Sequence, residues 1–342
     1  MEKQKTLTVI TGFSLRDKSE FIKKMLGKES TIKVVLYRPT DVELVCHSDE
    51  DPFSLSLFMT EAIHHIEVNK TANLIPVLEE ELFSEHVEEI ILDLYPIANL
   101  DVLIGSLASL RHIHHSHIHV LNTREFWNTF FSEYSIQPNE MDAALSLEYT
   151  FGETLIQQLE HAGTIYLTNA DQISAERLAE LTSFIQNLQP NVAIRRFNEI
   201  TNWDMNLESL IPIKTTDQLY SDQIKLFLSR RNLDMIGQHG IDTFVYQSVF
   251  PIDFTRLENF FKLLPNEVFR MKGKCYNPST HEQHTISQVG TSILVDTIDV
   301  DPDKSDDILT EFLFIGSELN NDEIEDMLNN CLQISSQRKL AY

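Results

Sequence analysis

The sequence predicts a mainly parallel α/β domain followed by a smaller α+β domain. Three observations lead there. At 342 residues the chain exceeds what one ordinary core accommodates. Short apolar runs alternate with helical segments up to about residue 205. Beyond residue 240 the pattern changes to half-buried alternating strands and two amphipathic helices.

In chain order, Leu7 to Thr11 reads as a buried strand, Lys18 to Leu26 as a helix closed by Gly27, and Ile32 to Tyr37 as a second strand. Ile75 to Ser84 reads as a helix, and Glu89 to Asp93 as a strand with an acid at its C-terminal end. Ile118 to Leu121 and Thr164 to Leu167 read as strands, and Ala175 to Leu188 as a helix. Strands alternating with helices imply right-handed crossovers and a parallel sheet. The polar stretch Asn206 to Gly240 reads as a connector. Thr243 to Phe250, Glu267 to Tyr276, Thr285 to Thr297 and Leu309 to Ile315 read as strands. Asp253 caps a helix bearing Leu257, Phe260, Phe261 and Leu264, and a last helix runs from Asn321 to Leu332. These elements predict a ferredoxin-like α+β unit. The expected division is residues 1–205, a connector over 206–240, and 241–335.

The chain carries 27 basic and 52 acidic side chains, a net charge of −25. That surface repels nucleic acid and anionic membranes, so neither is an expected partner. Three cysteines, Cys46, Cys275 and Cys331, form no disulfide framework and suit a reducing compartment. No stretch has the length of a membrane span and no signal-peptide pattern is present, which together predict a cytoplasmic protein.

The chemistry-bearing motif begins where the first strand ends. Gly12, then Lys18 and Ser19, stand at the spacing G-x-x-x-x-G-K-[ST], which makes the first domain P-loop NTPase-like. In such a loop backbone N–H groups wrap phosphates, the lysine neutralises them and the hydroxyl holds Mg²⁺. The second glycine is replaced by Asp17. A side chain crowds that position, and its charge opposes phosphate by roughly 4 kcal/mol at about 4 Å and an effective dielectric near 20. The bland alternative is a strand–loop–helix without a nucleotide.

The order of parts resembles the CobW-like GTPases, a family of metal-handling proteins. The resemblance lies in Val9-Ile10-Thr11-Gly12-Phe13, in Val268-Phe269-Arg270-Met271-Lys272-Gly273 against V-x-R-x-K-G, and in Thr310 to Gly316 with Leu319, Glu323 and Asn330-Cys331-Leu332. It implies a GTP- and Mg²⁺-binding protein of zinc homeostasis that delivers metal to a client metalloprotein. Lys18 would hold phosphate, and Ser19 and Asp93 the Mg²⁺. Asp171 would read guanine where the family has N-K-x-D, although Thr168 and Asn169 replace the Asn and Lys. Pro96 stands where the family's switch glycine donates an N–H, and proline has none. Together with Asp17 these departures predict weak or lost hydrolysis. A non-hydrolysing scaffold is the alternative function, with Asp93 and Asp171 as turn or cap residues.

The family's C-x-C-C metal motif falls on Leu44, Cys46 and His47, which leaves Cys46 and His47 as two zinc ligands or as a buried thiol beside an exposed imidazole. A second metal candidate is the run from His112 to His119. On a strand His115, His117 and His119 share one face, and His117 with His119 makes a His-x-His pair. Packing or hydrogen bonding within the sheet is the competing reading. Arg270, Lys272 and Lys274 share a strand face, poised for an acidic partner surface or for solvent.

Overall fold

The structure, a computed structural model, describes residues 5–26, 32–40, 42–45, 65–84, 86–107, 109–110, 113–138, 148–199, 214–230, 238–301 and 309–333. The chain divides into compact units at 1–219 and 220–342, and the division falls inside one helix.

The first unit is built on seven parallel strands: β1 (Thr6–Thr11), β2 (Ile32–Tyr37), β4 (His65–Val68), β5 (Glu89–Leu94), β6 (His114–Asn122), β9 (Thr164–Thr168) and β10 (Ala193–Arg196). Their order across the sheet is β10-β9-β6-β1-β5-β2-β4. β1 lies between β5 and β6, with Val9 opposite both Leu92 and His117. The centre of the sheet is covered on both faces, which is why β1 and β5 read as continuous apolar runs. On one face Leu7, Val9, Val35, Ile90 and Leu92 pack against helices α2 (Thr71–Phe83) and α3 (Leu100–Leu107). On the other, Ile10, Val34, Ile91, Ile118 and Val120 meet Phe21, Ile22 and Met25 of α1 (Leu15–Leu26).

Two further helices complete this layer arrangement. α5 (Phe151–His161) opens on a capping box in which Thr150 and Glu153 satisfy each other's backbone N–H groups. α6 (Ala175–Leu188) starts on the Ser174 side chain and matches the expected bounds. A small antiparallel sheet of β3 (Val42–Val45), β7 (Ser135–Pro138) and β8 (Tyr149–Thr150) was not anticipated from the sequence, its strands being too short to give a period. The short helix α4 (Phe126–Phe130) packs an aromatic cluster of Phe126, Trp127 and Phe130 on Phe184.

Several boundaries differ from expectation; β6, for one, starts at His114 rather than Ile118. α1 starts at Leu15 rather than Lys18, for reasons given below. α2 starts at Thr71 and carries Pro76 internally: Leu74, Leu78 and Leu82 bury one continuous face, and that packing outweighs the hydrogen bond the proline forgoes. The single strand read over 285–297 is two, β13 (Glu282–Val289) and β14 (Ser292–Asp299), turning at Gly290, whose φ is +56°.

The second unit is a five-stranded antiparallel sheet ordered β11-β15-β12-β13-β14, where β11 is Ile241–Ser248, β12 is Val268–Asn277 and β15 is Thr310–Ser317. Helices α8 (Phe254–Lys262) and α9 (Asn321–Asn329) put Leu257, Phe260, Ile324 and Leu328 onto Met271, Cys275, Phe312 and Phe314. Asp253 and Asn320 cap the two helices through their side chains. Helix α7 (Thr216–Arg230) contributes Tyr220 and Ile224 to a small cluster with Val245 and Leu313.

Within this unit two of the three basic residues of β12 are buried, and Lys274 is half-buried. Arg270 is buried, and its Nη1 donates to Met271 O (3.0 Å), Ser287 Oγ (2.8 Å) and Gln288 O (2.9 Å), which pins β12 to β13. Lys272 is buried too, its Nζ 3.4 Å from Gln223 Oε1. Gly273 faces Phe312 across the β12–β15 ladder, and a Cβ there would lie 2.3 Å from the Phe312 ring. The glycine therefore lets the ring lie over its own backbone. Gly273→Ala is expected to cost about 1–3 kcal/mol by overpacking, read from urea unfolding. A loss within about 0.5 kcal/mol would show that Phe312 has room to move.

Candidate functional site

The site lies where β1, β5, β6 and β9 end, the edge at which open parallel sheets place their ligands. Gly12 closes β1 with φ +148°, and a Cβ at this position would sit 2.4 Å from Val120 O. Only glycine allows that approach of β1 to β6.

Just Gly12, Phe13 and Ser14 separate β1 from α1. A phosphate loop needs its lysine at the start of the helix, with free N–H groups in front of it. Here Lys18 is already inside the helix, and its N–H donates to Ser14 O at 3.0 Å. Ser14 takes the N-cap place, its Oγ accepting from Asp17 N at 3.4 Å. Ser14-Leu15-Arg16-Asp17 is thus a serine cap followed three residues on by an acid, the pattern of a helix start. Asp17 in the first turn also places a negative charge at the positive end of the helix dipole. The anion at this helix end belongs to the chain itself.

Asp17 is 9% exposed and held from β9. Its Oδ2 accepts from Thr168 Oγ1 at 2.5 Å and from Asn169 Nδ2 at 3.3 Å. Asn169 sits in the left-handed region, at φ 55°, which suits asparagine better than a bulky residue. Thr168 and Asn169 are the residues standing where the family's Asn and Lys would be. The residue that departs from the phosphate loop and the two that depart from the base-recognition motif hold one another.

Lys18 is 1% exposed. Its Nζ lies 2.7 Å from Asp93 Oδ1 and also donates to Leu94 O. Ser19 is buried beside it in α1. Pro96 directs its carbonyl to Gln158 Nε2 at 2.9 Å. Asp171 lies exposed in the turn after β9 and is not brought to the pocket that Asp17 lines. Mg-GTP does not fit these residues as arranged: the lysine is engaged by a carboxylate, Asp17 holds the anion position, and the loop's N–H groups are drawn into a helix.

His114 to His119 lie in β6, with His114 and His115 half-buried, and His112 falls outside the described residues. His117 and His119 are buried, and the Thr11 hydroxyl lies between His117 Nε2 (2.7 Å) and His119 Nδ1 (2.9 Å). His115 Nε2 is 2.9 Å from Leu110 O. Among the described residues no group of three or more His, Cys, Asp or Glu is placed to hold a metal. Cys46 and His47 lie outside the described residues, as does Gly27.

Burial pushes His117 down to about 3, helped by the charge of His161. Burial holds His119 well below its ordinary value, helped by His117 and Lys18. Both rings are neutral in the folded state near neutrality. An unfolded histidine takes up a proton below about pH 6.5, and His117 in the fold does so only near 3. The unfolded state then binds more protons, so stability falls as pH drops through that window, by up to ~1.4 kcal/mol per pH unit for each ring. NMR titration is expected to leave both imidazoles neutral down to about pH 5 while urea unfolding shows the slope; a ring titrating near 6.5 would contradict the buried pair.

Among the described residues no helix is long and apolar enough to cross a membrane. Residues 241–332 match the family described as "Cobalamin synthesis protein cobW C-terminal domain". The chain is also similar to a Zn(II)-bound triple mutant of YjiA GTPase, with 14% identity over 97% of this chain and 100% of that one, and a TM-score of 0.39. For the Zn(II)-bound YjiA GTPase from E. coli the values are 12%, 96%, 99% and 0.38. For HypB from Helicobacter pylori in complex with nickel they are 10%, 67%, 89% and 0.33. Likenesses at that level assign neither an activity nor a ligand. The family match covers the motif residues Arg270, Lys272 and Gly273 and the Asn330-Cys331-Leu332 ending, so that residues 241–332 are similar to the CobW C-terminal domain.

Proposed function

We propose that this chain is a CobW-like GTP-binding-type protein of metal homeostasis, cytoplasmic, in which GTP hydrolysis is weak or lost. The domains would be those read from the sequence: 1–205 of nucleotide-binding type, a connector over 206–240, and 241–335. The observation that carries the reading is the early start of α1, which puts the Asp17 carboxylate at the helix end where phosphate would be held. The Lys18–Asp93 pair at 2.7 Å supports it, because both residues would have to part to receive a nucleotide and Mg²⁺. The assignment to metal handling rests on the CobW resemblance, with zinc as the metal, Cys46 and His47 as its ligands and a metalloprotein as client.

Calorimetric titration with Mg-GTP tests the nucleotide half. Binding is expected to be weaker than about 0.1 mM, with no phosphate release above background. Asp17→Gly removes the opposing charge, and up to ~4 kcal/mol of repulsion corresponds to as much as ~10³-fold in affinity. Lys18→Ala in the Asp17→Gly background should abolish that gain. Micromolar binding with turnover by the unaltered chain would overturn the reading.

The second reading, a scaffold that takes no nucleotide, is favoured by the hydrogen bonds of Asp17 to Thr168 and Asn169. In that case Asp17→Gly gains nothing. For the metal half, equilibrium dialysis against Zn²⁺ should lose one equivalent in a Cys46→Ser, His47→Ala variant; unchanged stoichiometry would remove these two residues from the assignment.

A further inference from the structure

A cavity of about 720 Å³ opens in the first unit beside Asp17, a volume in the range of small-ligand pockets. Three aromatic side chains line it. Phe13 and Phe151 have ring centroids 5.4 Å apart at 58°, and Tyr134 and Phe151 are 5.3 Å apart at 39°. Three carboxylates line it as well: Asp17, Glu125 and Glu20, the last paired with Arg16.

The two arginines of the lining are turned to partners in the chain. Arg16 pairs with Glu20 at 3.4 Å, and Arg124 donates to Gln172 Oε1 at 2.9 Å. Asp17 receives both its side-chain hydrogen bonds on Oδ2. Among the described residues neither Asp17 Oδ1 nor the Glu125 carboxylate has a hydrogen-bond partner. Partial burial raises the Glu125 pKa, the Asp17 charge raises it further, and Arg124 offsets this only in part. A cation between the carboxylates relieves that repulsion, whereas a phosphate adds to it. Aromatic faces also attract cations, most strongly organic ones that shed little hydration. The lack of a three-residue metal constellation among the described residues favours an organic cation over an inorganic one.

We propose that this cavity is a binding site for an alkylammonium ligand, its ammonium at Asp17 and Glu125 and its apolar stem against Phe13, Tyr134 and Phe151. The proposal deepens the reading of the site as closed to phosphate and rests on it.

The test is calorimetry of the full chain with spermidine and with cadaverine at about 0.15 M salt, where non-specific attraction to the acidic surface is screened. Saturable one-to-one binding is expected. Glu125→Gln, at the exposed rim, should weaken it about tenfold, and Asp17→Asn by a similar factor. Glu258→Gln, on the exposed face of α8, should leave it unchanged. Absence of saturation, equal weakening by Glu258→Gln, or displacement of the amine by stoichiometric Mg²⁺ would each overturn the proposal. Mg-GTP titrated separately distinguishes the two failures. If neither ligand binds, the amine site alone is wrong; if GTP binds tightly and is turned over, the functional reading falls with it.

Discussion

Burying an ammonium group is costly unless a carboxylate meets it, and the first unit is organised around one such meeting. Lys18 is among the largest fully buried side chains, and Asp93, at the end of β5, is its counter-charge at 2.7 Å. The lysine comes from α1, so the pair joins that helix to the sheet beside β1. Removing either partner alone would strand a buried charge at a cost on the order of 3–5 kcal/mol. The same two residues are those a phosphate-loop protein reserves for phosphate and Mg²⁺. Here they hold each other, and the fold uses as structure what the motif would use as chemistry.

Asp17 follows from the same constraint. With Lys18 drawn into the helix, the N–H groups ahead of it need another acceptor. Ser14 supplies one, and the Asp17 carboxylate supplies negative charge where the helix dipole favours it. A carboxylate at 9% exposure needs donors, and Thr168 and Asn169 provide them. A lysine in place of Asn169 and an asparagine in place of Thr168 belong to guanine recognition; the residues present belong to Asp17. Below them the neutral His117 and His119, joined through Thr11, add no positive charge for a phosphate to meet.

Much of this was legible in the sequence. The strands around β1 announce themselves as apolar runs because both faces of the sheet are covered, and α6 shows its cap and its period. Asp17 and Pro96 could be recognised as obstacles from residue type alone. The early start of α1 could have been found in Ser14-x-x-Asp17, a capping pattern concealed by the more familiar phosphate-loop spacing that overlaps it. The partnership of Asp17 with Thr168 and Asn169 could not, since it joins residues about 150 positions apart through the order of the strands. Glu125, Tyr134 and Phe151 carry no motif at all, and only the loops after β6 and around the small sheet bring them to one cavity.

The two units hold their motif residues in different ways. In the second unit the motif residues are held by packing. Arg270 pins β12 to β13, Lys272 is buried near Gln223, and Gly273 accommodates the Phe312 ring. Changing any of them damages the fold whatever the protein binds, and this is the region that matches the CobW C-terminal domain. In the first unit Asp17, Thr168 and Asn169 stand at positions that a phosphate-loop GTPase uses for a bound nucleotide, and here they satisfy one another. Gly12 marks the boundary between the two kinds of constraint: it lies in the nucleotide motif, yet the 2.4 Å approach to Val120 O would require glycine even with no phosphate to bind. Gly12 is therefore accounted for by the strand crossing alone, whether or not the site performs a reaction.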